Sequence, residues 1–213
     1  MTHLKMYWLK GTPIKKFTLP DGYSFSYYNE TKESEMYDLL ECWKDGLAPD
    51  DADKETFDYR ITNHKDTTAK DIIFLDYNGE HIGTITAVYH PEENIGEFHM
   101  VGIRKDFRGK GLGKHLNQIA LEKLEKQGVE YIYLTTHEWR IGAVKSYLSC
   151  GFKPVLYDDN MEYRWSNVLA YYNIDSVDML NEDGSFYKEI RKSDRKFTEE
   201  GFNEYFDKLC ENS

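Results

Sequence analysis

The chain has 213 residues, with 27 Lys and Arg against 38 Asp and Glu, a formal net charge of −11, and 40% hydrophobic and 15% aromatic residues. This length and composition fit one core-forming domain plus an extension, and exclude both a disordered chain and two full domains in tandem. The acidic balance repels phosphate backbones, so no nucleic acid is expected as a partner, although a local basic loop can still hold one small anion.

The predicted elements alternate along the chain. Tyr23 to Tyr28 alternates aromatic and small residues like a strand, and from Thr31 the residues Met36, Leu39, Leu40 and Trp43 fall at helical spacing until Gly46. A more polar helix is expected between Asp50 and His64. Asp71 to Tyr77 is β-rich and is followed by Asn78-Gly79, the dipeptide of tight hairpin turns, with a return strand at about His81 to Tyr89. After the turn Pro91 to Asn94, Glu97 to Ile103 has strand composition. Leu112, Leu116, Ile119, Ala120 and Leu124 form a helical stripe within 111–127, with Gly128 placed as its C-terminal stop. A strand at Tyr131 to Thr135, a helix at Arg140 to Cys150 ended by Gly151, and a strand at Phe152 to Tyr157 follow. Residues from about Ile174 are polar and read as an appendage, helical over Thr198 to Cys210.

Cys42, Cys150 and Cys210 are odd in number and far apart, which suits free thiols in a reducing compartment. The first residues lack an apolar signal segment, and no run approaches the length of a membrane span. A cytoplasmic protein with no membrane partner is expected.

Val101-Gly102-Ile103 runs through Arg108-Gly109-Lys110-Gly111-Leu112-Gly113-Lys114 into a helix. Glycines let a backbone approach an anion closely, and the positive end of the helix dipole adds attraction. The segment is not a Walker A motif, because Arg108 stands where its first glycine belongs and His115 where its Ser or Thr belongs. It is not a dinucleotide fingerprint either, since Lys114 or Leu116 replaces the last glycine.

The remaining pattern, R-x-x-G-x-G at Arg108 to Gly113, with Ala143, Tyr147, Gly151 and Phe152 at the spacing A-x-x-x-Y-x-x-x-G-F, resembles the GNAT superfamily of acyl-CoA-dependent N-acyltransferases over roughly residues 71 to 157. The resemblance implies an α/β fold with a mixed, mostly antiparallel central sheet flanked by helices and splayed strands at the acyl-CoA site. It places the domain in residues 1–173, with 174–213 as a helical extension. It implies acetyl-CoA as acyl donor and no metal. Val101, Gly102 and Ile103 would pair with the pantetheine arm as an added strand does. Arg108, Gly109, Lys110, Gly111, Leu112, Gly113 and Lys114 would hold the pyrophosphate.

Acetyl transfer needs a neutral amine and a proton for the departing thiolate. The resemblance gives the second task to Tyr147, whose phenol can donate to the leaving group. It gives the first to Glu97, on a looser match; His99 lies on the same strand face and is an alternative base. His137-Glu138 lacks the second histidine of a zinc helix, because Ile141 takes that place. Arg140 stands where many family members have asparagine. Thr135 to Arg140 resembles a mycothiol-synthase-like bacterial branch, whose synthases have tandem domains, whereas this chain has one copy of each motif.

The expected function is therefore transfer of acetyl from acetyl-CoA to a primary amine of a small molecule or peptide by direct attack in a ternary complex. A non-catalytic acyl-CoA sensor or interaction module is the alternative. Cys150 has no His or Asp placed beside it by sequence, so a covalent acyl-enzyme is not favoured. Tyr163, Trp165, Tyr171 and Tyr172 either form a homodimer patch or seal the end of the domain.

Overall fold

The structure, a computed structural model, describes residues 2–44 and 46–211, apart from the side chains of 208–211. The Cys210 thiol lies outside the described residues. The chain divides into two compact units, Lys10–Ile132 and Met1–Leu9 with Tyr133–Ser213. Both mix helices with mostly antiparallel strands, the expected α/β class.

In the first unit β2 (Tyr23–Tyr27), β3 (Ile72–Tyr77), β4 (Glu80–His90) and β5 (Ile95–Ile103) pair in that order, each antiparallel to the next. Asn78 and Gly79 both have positive φ, 50° and 86°, as the tight β3–β4 turn requires. Helix α1 (Glu33–Trp43) buries Met36, Leu39, Leu40 and Trp43, the stripe read from spacing. Leu39, Leu40 and Trp43 pack with Ile61, Ile72, Phe74 and Met100 in one apolar cluster. The expected polar helix is a short α2 (Lys54–Phe57), capped by the Asp53 carboxylate and continued by a π-turn over Asp58–Thr62. Helix α3 (Gly113–Glu125) buries Leu116, Ala120, Leu121 and Leu124, and Gly128 follows it at φ 76°.

In the second unit the order is β6 (Tyr131–Thr136), β1 (Leu4–Leu9), β7 (Lys153–Leu156), β8 (Ser176–Asn181) and β9 (Phe186–Arg191), with β7 and β8 parallel. Strand β6 begins two residues before the unit boundary. Helices α4 (Ile141–Ser149), α5 (Met161–Tyr172) and α6 (Glu199–Glu211) complete it. Three elements go beyond the sequence reading. Strand β1 buries Leu4, Met6 and Trp8, and α5 fills the interval between β7 and β8. The polar stretch after Ile174 is not helical throughout: its first part is the β8–β9 hairpin, joined to β7 through Val155 opposite Leu180. The aromatic patch also needs correction, because Trp165 is fully buried while Tyr163 is exposed.

Candidate active site

Strand β5 carries an irregularity at the middle of its pairing with β4. Thr84 faces Gly102 and Thr86 faces His99, so three steps on β5 oppose two on β4. Met100, at φ 47°, adopts the left-handed conformation that a β-bulge needs and that side chains disfavour. Gly102 is required for a different reason: a Cβ there would stand 2.4 Å from the Cys42 carbonyl oxygen.

Beyond β5 the chain turns through Lys105–Phe107 into the glycine loop. Gly109 and Gly111 have φ of 76° and 72°, with open space where a Cβ would lie. Leu112 is buried and seats the loop, and its carbonyl accepts from the N–H groups of His115 and Leu116. Among the described residues, the backbone N–H groups of Gly109, Lys110, Gly111, Leu112 and Gly113 donate to no protein acceptor. They form a run of donors at the start of α3, a helix with no side-chain cap. Lys110 Nζ lies 4.5 Å from the Phe107 ring centroid and Lys114 Nζ 4.9 Å from that of Phe17. The Arg108 guanidinium turns back, donating through Nε to the Ile103 carbonyl at 2.7 Å and through Nη2 to the Lys44 carbonyl at 2.9 Å. It braces the end of β5 against the residue that follows α1.

Glu97, expected at the start of a strand, is the third residue of β5 and is buried among histidines. His90 Nε2 lies 3.1 Å from Glu97 Oε2, and His90 Nδ1 lies 2.9 Å from Asp66 Oδ2. His64 Nε2 is 3.5 Å from Glu97 Oε2, and His99 Nδ1 is 3.6 Å from Glu97 Oε1. Burial, then the neighbouring His99, pulls the His64 imidazole below its ordinary value. The period-2 reading correctly put His99 on the face of Glu97. His64 and His90 come from a loop and another strand, and only β4–β5 pairing and the fold of 58–67 bring them there.

The Tyr147 phenol is buried on α4, with its ring edge-on to Phe152 at 5.9 Å. Burial pushes its ionisation well above the ordinary tyrosine value, so the group is a neutral donor, and its hydroxyl bonds to no other described residue. Arg140 begins α4 through its carbonyl, which accepts from Ala143 and Val144, while its guanidinium lies over Trp139. Glu138 is fully buried and gripped in two-pronged fashion by Arg164, one contact being Nη2 to Oε2 at 2.8 Å. It is thus engaged structurally. Burial pushes the Cys42 thiol up to about 12, which leaves it unreactive, and Cys150 is buried and in no disulfide among the described residues.

With this geometry in view, comparison with known proteins is direct. A family model described as the Acetyltransferase (GNAT) family matches residues 33–152, more than half of the chain. The chain belongs to that family. It is 39% identical over 87 residues to the mycothiol acetyltransferase of Streptomyces coelicolor, covering 41% of this chain and 28% of that protein. It is 34% identical over 71 residues to the mycothiol acetyltransferase of Frankia casuarinae, covering 33% and 20%. The chain therefore spans less than a third of the length of these curated relatives. A GCN5-related N-acetyltransferase from Sphaerobacter thermophilus matches the fold with a TM-score of 0.58 at 18% identity, over 72% of this chain and 49% of that one. One from Kribbella flavida matches at 0.50 and 16%, over 72% and 55%. Among the described residues no helix is long and apolar enough to cross a membrane.

Proposed function

We propose that this chain is an N-acetyltransferase that takes acetyl from acetyl-CoA and passes it to a primary amine by direct attack in a ternary complex. The observation that carries this reading is the run of five backbone N–H groups, Gly109 to Gly113, without protein acceptors at the uncapped start of α3. A pyrophosphate supplies the acceptors such a run lacks, and helix-start polarity favours its charge. Gly109, Lys110, Gly111, Leu112 and Gly113 hold it through backbone, with Lys110 and Lys114 adding charge. Arg108 contributes mainly by fixing the loop to Ile103 and Lys44. Val101, Gly102 and Ile103, next to the bulge at Met100, offer backbone to the pantetheine arm.

In the reaction Glu97 takes the proton from the arriving ammonium, with His99 beside it. The amine nitrogen then bonds to the thioester carbonyl carbon, the C–S bond breaks, the sulfur takes a proton from Tyr147, and the second proton shed by the acylated nitrogen restores the Tyr147 phenol through solvent. Products are the amide and free CoA thiol. The acidic chain favours a cationic amine on a small molecule or peptide, and the names of its relatives make a mycothiol-related amine one acceptor to include. The absence of a disulfide at buried Cys42 and Cys150 among the described residues, together with the need for acetyl-CoA, supports a cytoplasmic setting.

The test is thiol release from acetyl-CoA across a panel of primary amines. The wild type is expected to turn over at least one, Gly111→Trp to lose that turnover through acetyl-CoA, and Glu97→Gln to lose it without losing acetyl-CoA binding. Binding of acetyl-CoA with no release against any amine would overturn the enzyme reading in favour of a sensor.

A further inference from the structure

The surroundings of Glu97, the base of the proposed reaction, contain a second feature. His99 Nε2 lies 2.7 Å from the Arg60 carbonyl, and a carbonyl only accepts, so Nε2 carries the proton. The Thr67 hydroxyl lies 2.9 Å from His64 Nδ1 and 3.4 Å from the Lys65 carbonyl, so with its proton on that carbonyl it accepts from His64 Nδ1. In their neutral forms, both rings therefore present a lone pair on the opposite nitrogen, His64 Nε2 and His99 Nδ1. Those two nitrogens lie 3.5 and 3.6 Å from the Glu97 carboxylate oxygens. Two imidazole nitrogens and one carboxylate thus converge, with the His90 ring 3.1 Å from Glu97 Oε2 behind them.

We infer that His64, Glu97 and His99 form a site for one divalent transition-metal ion of the zinc or cobalt class, held through His64 Nε2, His99 Nδ1 and the Glu97 carboxylate. One ligand atom from each residue lies within 4.8 Å of the others. The separations from the carboxylate approach the roughly 3.3 Å edge of a tetrahedron with bonds of about 2.0–2.1 Å. Two imidazoles with one carboxylate select a borderline ion over magnesium or calcium. The distal hydrogen bonds to Arg60 and Thr67, and the His90 ring against Glu97, are the outer contacts that orient metal ligands and fix their tautomers. The rings now stack at 3.9 Å with 26° between planes, so closing on one ion requires them to rotate apart. Occupancy would tie the segment after the π-turn to β5.

The experiment uses tag-free full chain, freed of metal by chelation, titrated with Co²⁺ by visible absorption and with Zn²⁺ by calorimetry, without acetyl-CoA. One equivalent of Co²⁺ is expected to give ligand-field bands of a low-coordinate site, and Zn²⁺ to raise the thermal midpoint. His64→Ala, His99→Ala and Glu97→Gln should each weaken Zn²⁺ at least ~10-fold, the loss that even an outer partner of a metal ligand brings. His137→Ala, in the separate His3–His137 pair, should bind as wild type. His64 lies in a loop, so its variant remains informative if substitutions on β5 unfold the chain. Absence of binding by the wild type, unchanged affinity in His64→Ala, or loss confined to His137→Ala would overturn the assignment. None of these outcomes bears on acetyl-CoA binding, which is measured separately.

Discussion

A Cβ at Gly102 would stand 2.4 Å from the Cys42 carbonyl oxygen, whereas one at Gly111 meets nothing within 4 Å. The two glycines therefore fail differently when replaced. Gly102→Ala forces α1 away from β5 and should cost about 1–3 kcal/mol in urea denaturation, the range for overpacking a core. Gly111, at φ 72°, is strained by any side chain but has room for one, so Gly111→Trp should stay folded and obstruct the ligand. Tyr147 was identifiable from its spacing to Gly151 and Phe152; its burial, which no spacing reveals, decides its protonation. Tyr147→Phe should lower kcat by about 100-fold or more with little change in acetyl-CoA affinity, the usual scale for losing a general acid. Because the acid form is the one proposed to work and burial raises its ionisation, no alkaline fall in kcat from this group is expected between pH 7 and about 10. A fall in kcat over that interval that Tyr147→Phe abolishes would contradict this.

At the scale of elements, α5 is held to the residues after β6 by a charge pair with no exposure at either side chain. Removing one partner strands the other charge in the interior. Glu138→Ala should thus cost about 3–5 kcal/mol, and Glu138→Leu combined with Arg164→Met should recover much of it, both read from urea midpoints. Equal loss in the single and double variants would show that the pair matters through shape rather than charge. Sequence periodicity had placed the helices whose apolar stripes face a sheet, such as α1 and α3, and the β3–β4 hairpin through Asn78-Gly79. It did not show β1, where buried Leu4, Met6 and Trp8 alternate with Lys5 but sit at a terminus read for signals rather than strands. It also missed β9, whose first four residues are all exposed and which is held by pairing to β8 rather than by an apolar face.

At the scale of the whole molecule, acid should be destabilising through histidines. Burial, then His3 and Arg140, holds the His137 imidazole near about 4 against an ordinary value of 6.5, and His3, His64 and His115 shift in the same direction. As pH falls, the unfolded chain takes up these protons first, so their contribution is present above about 6.5 and is lost as pH drops toward 4. Urea midpoints should decline over that window, and His137→Gln should flatten part of the decline; an unchanged slope would remove His137 from the account. The glycine loop before α3 could be read from its glycines because backbone conformation demands positive φ at Gly109 and Gly111 locally. The ring of His64, His90 and His99 around Glu97 could not, because residues from a loop and two strands meet only once the sheet has formed.

The central claim is that Gly109 to Gly113 is a built anion cradle for acetyl-CoA. Calorimetric titration of the full chain with acetyl-CoA, beside Gly111→Trp and with NAD and ATP as controls, tests it most directly. Selective saturable binding of acetyl-CoA by the wild type, lost in Gly111→Trp while its far-UV circular dichroism is unchanged, is the predicted result. No binding by the wild type, or equal binding by the variant, would contradict it.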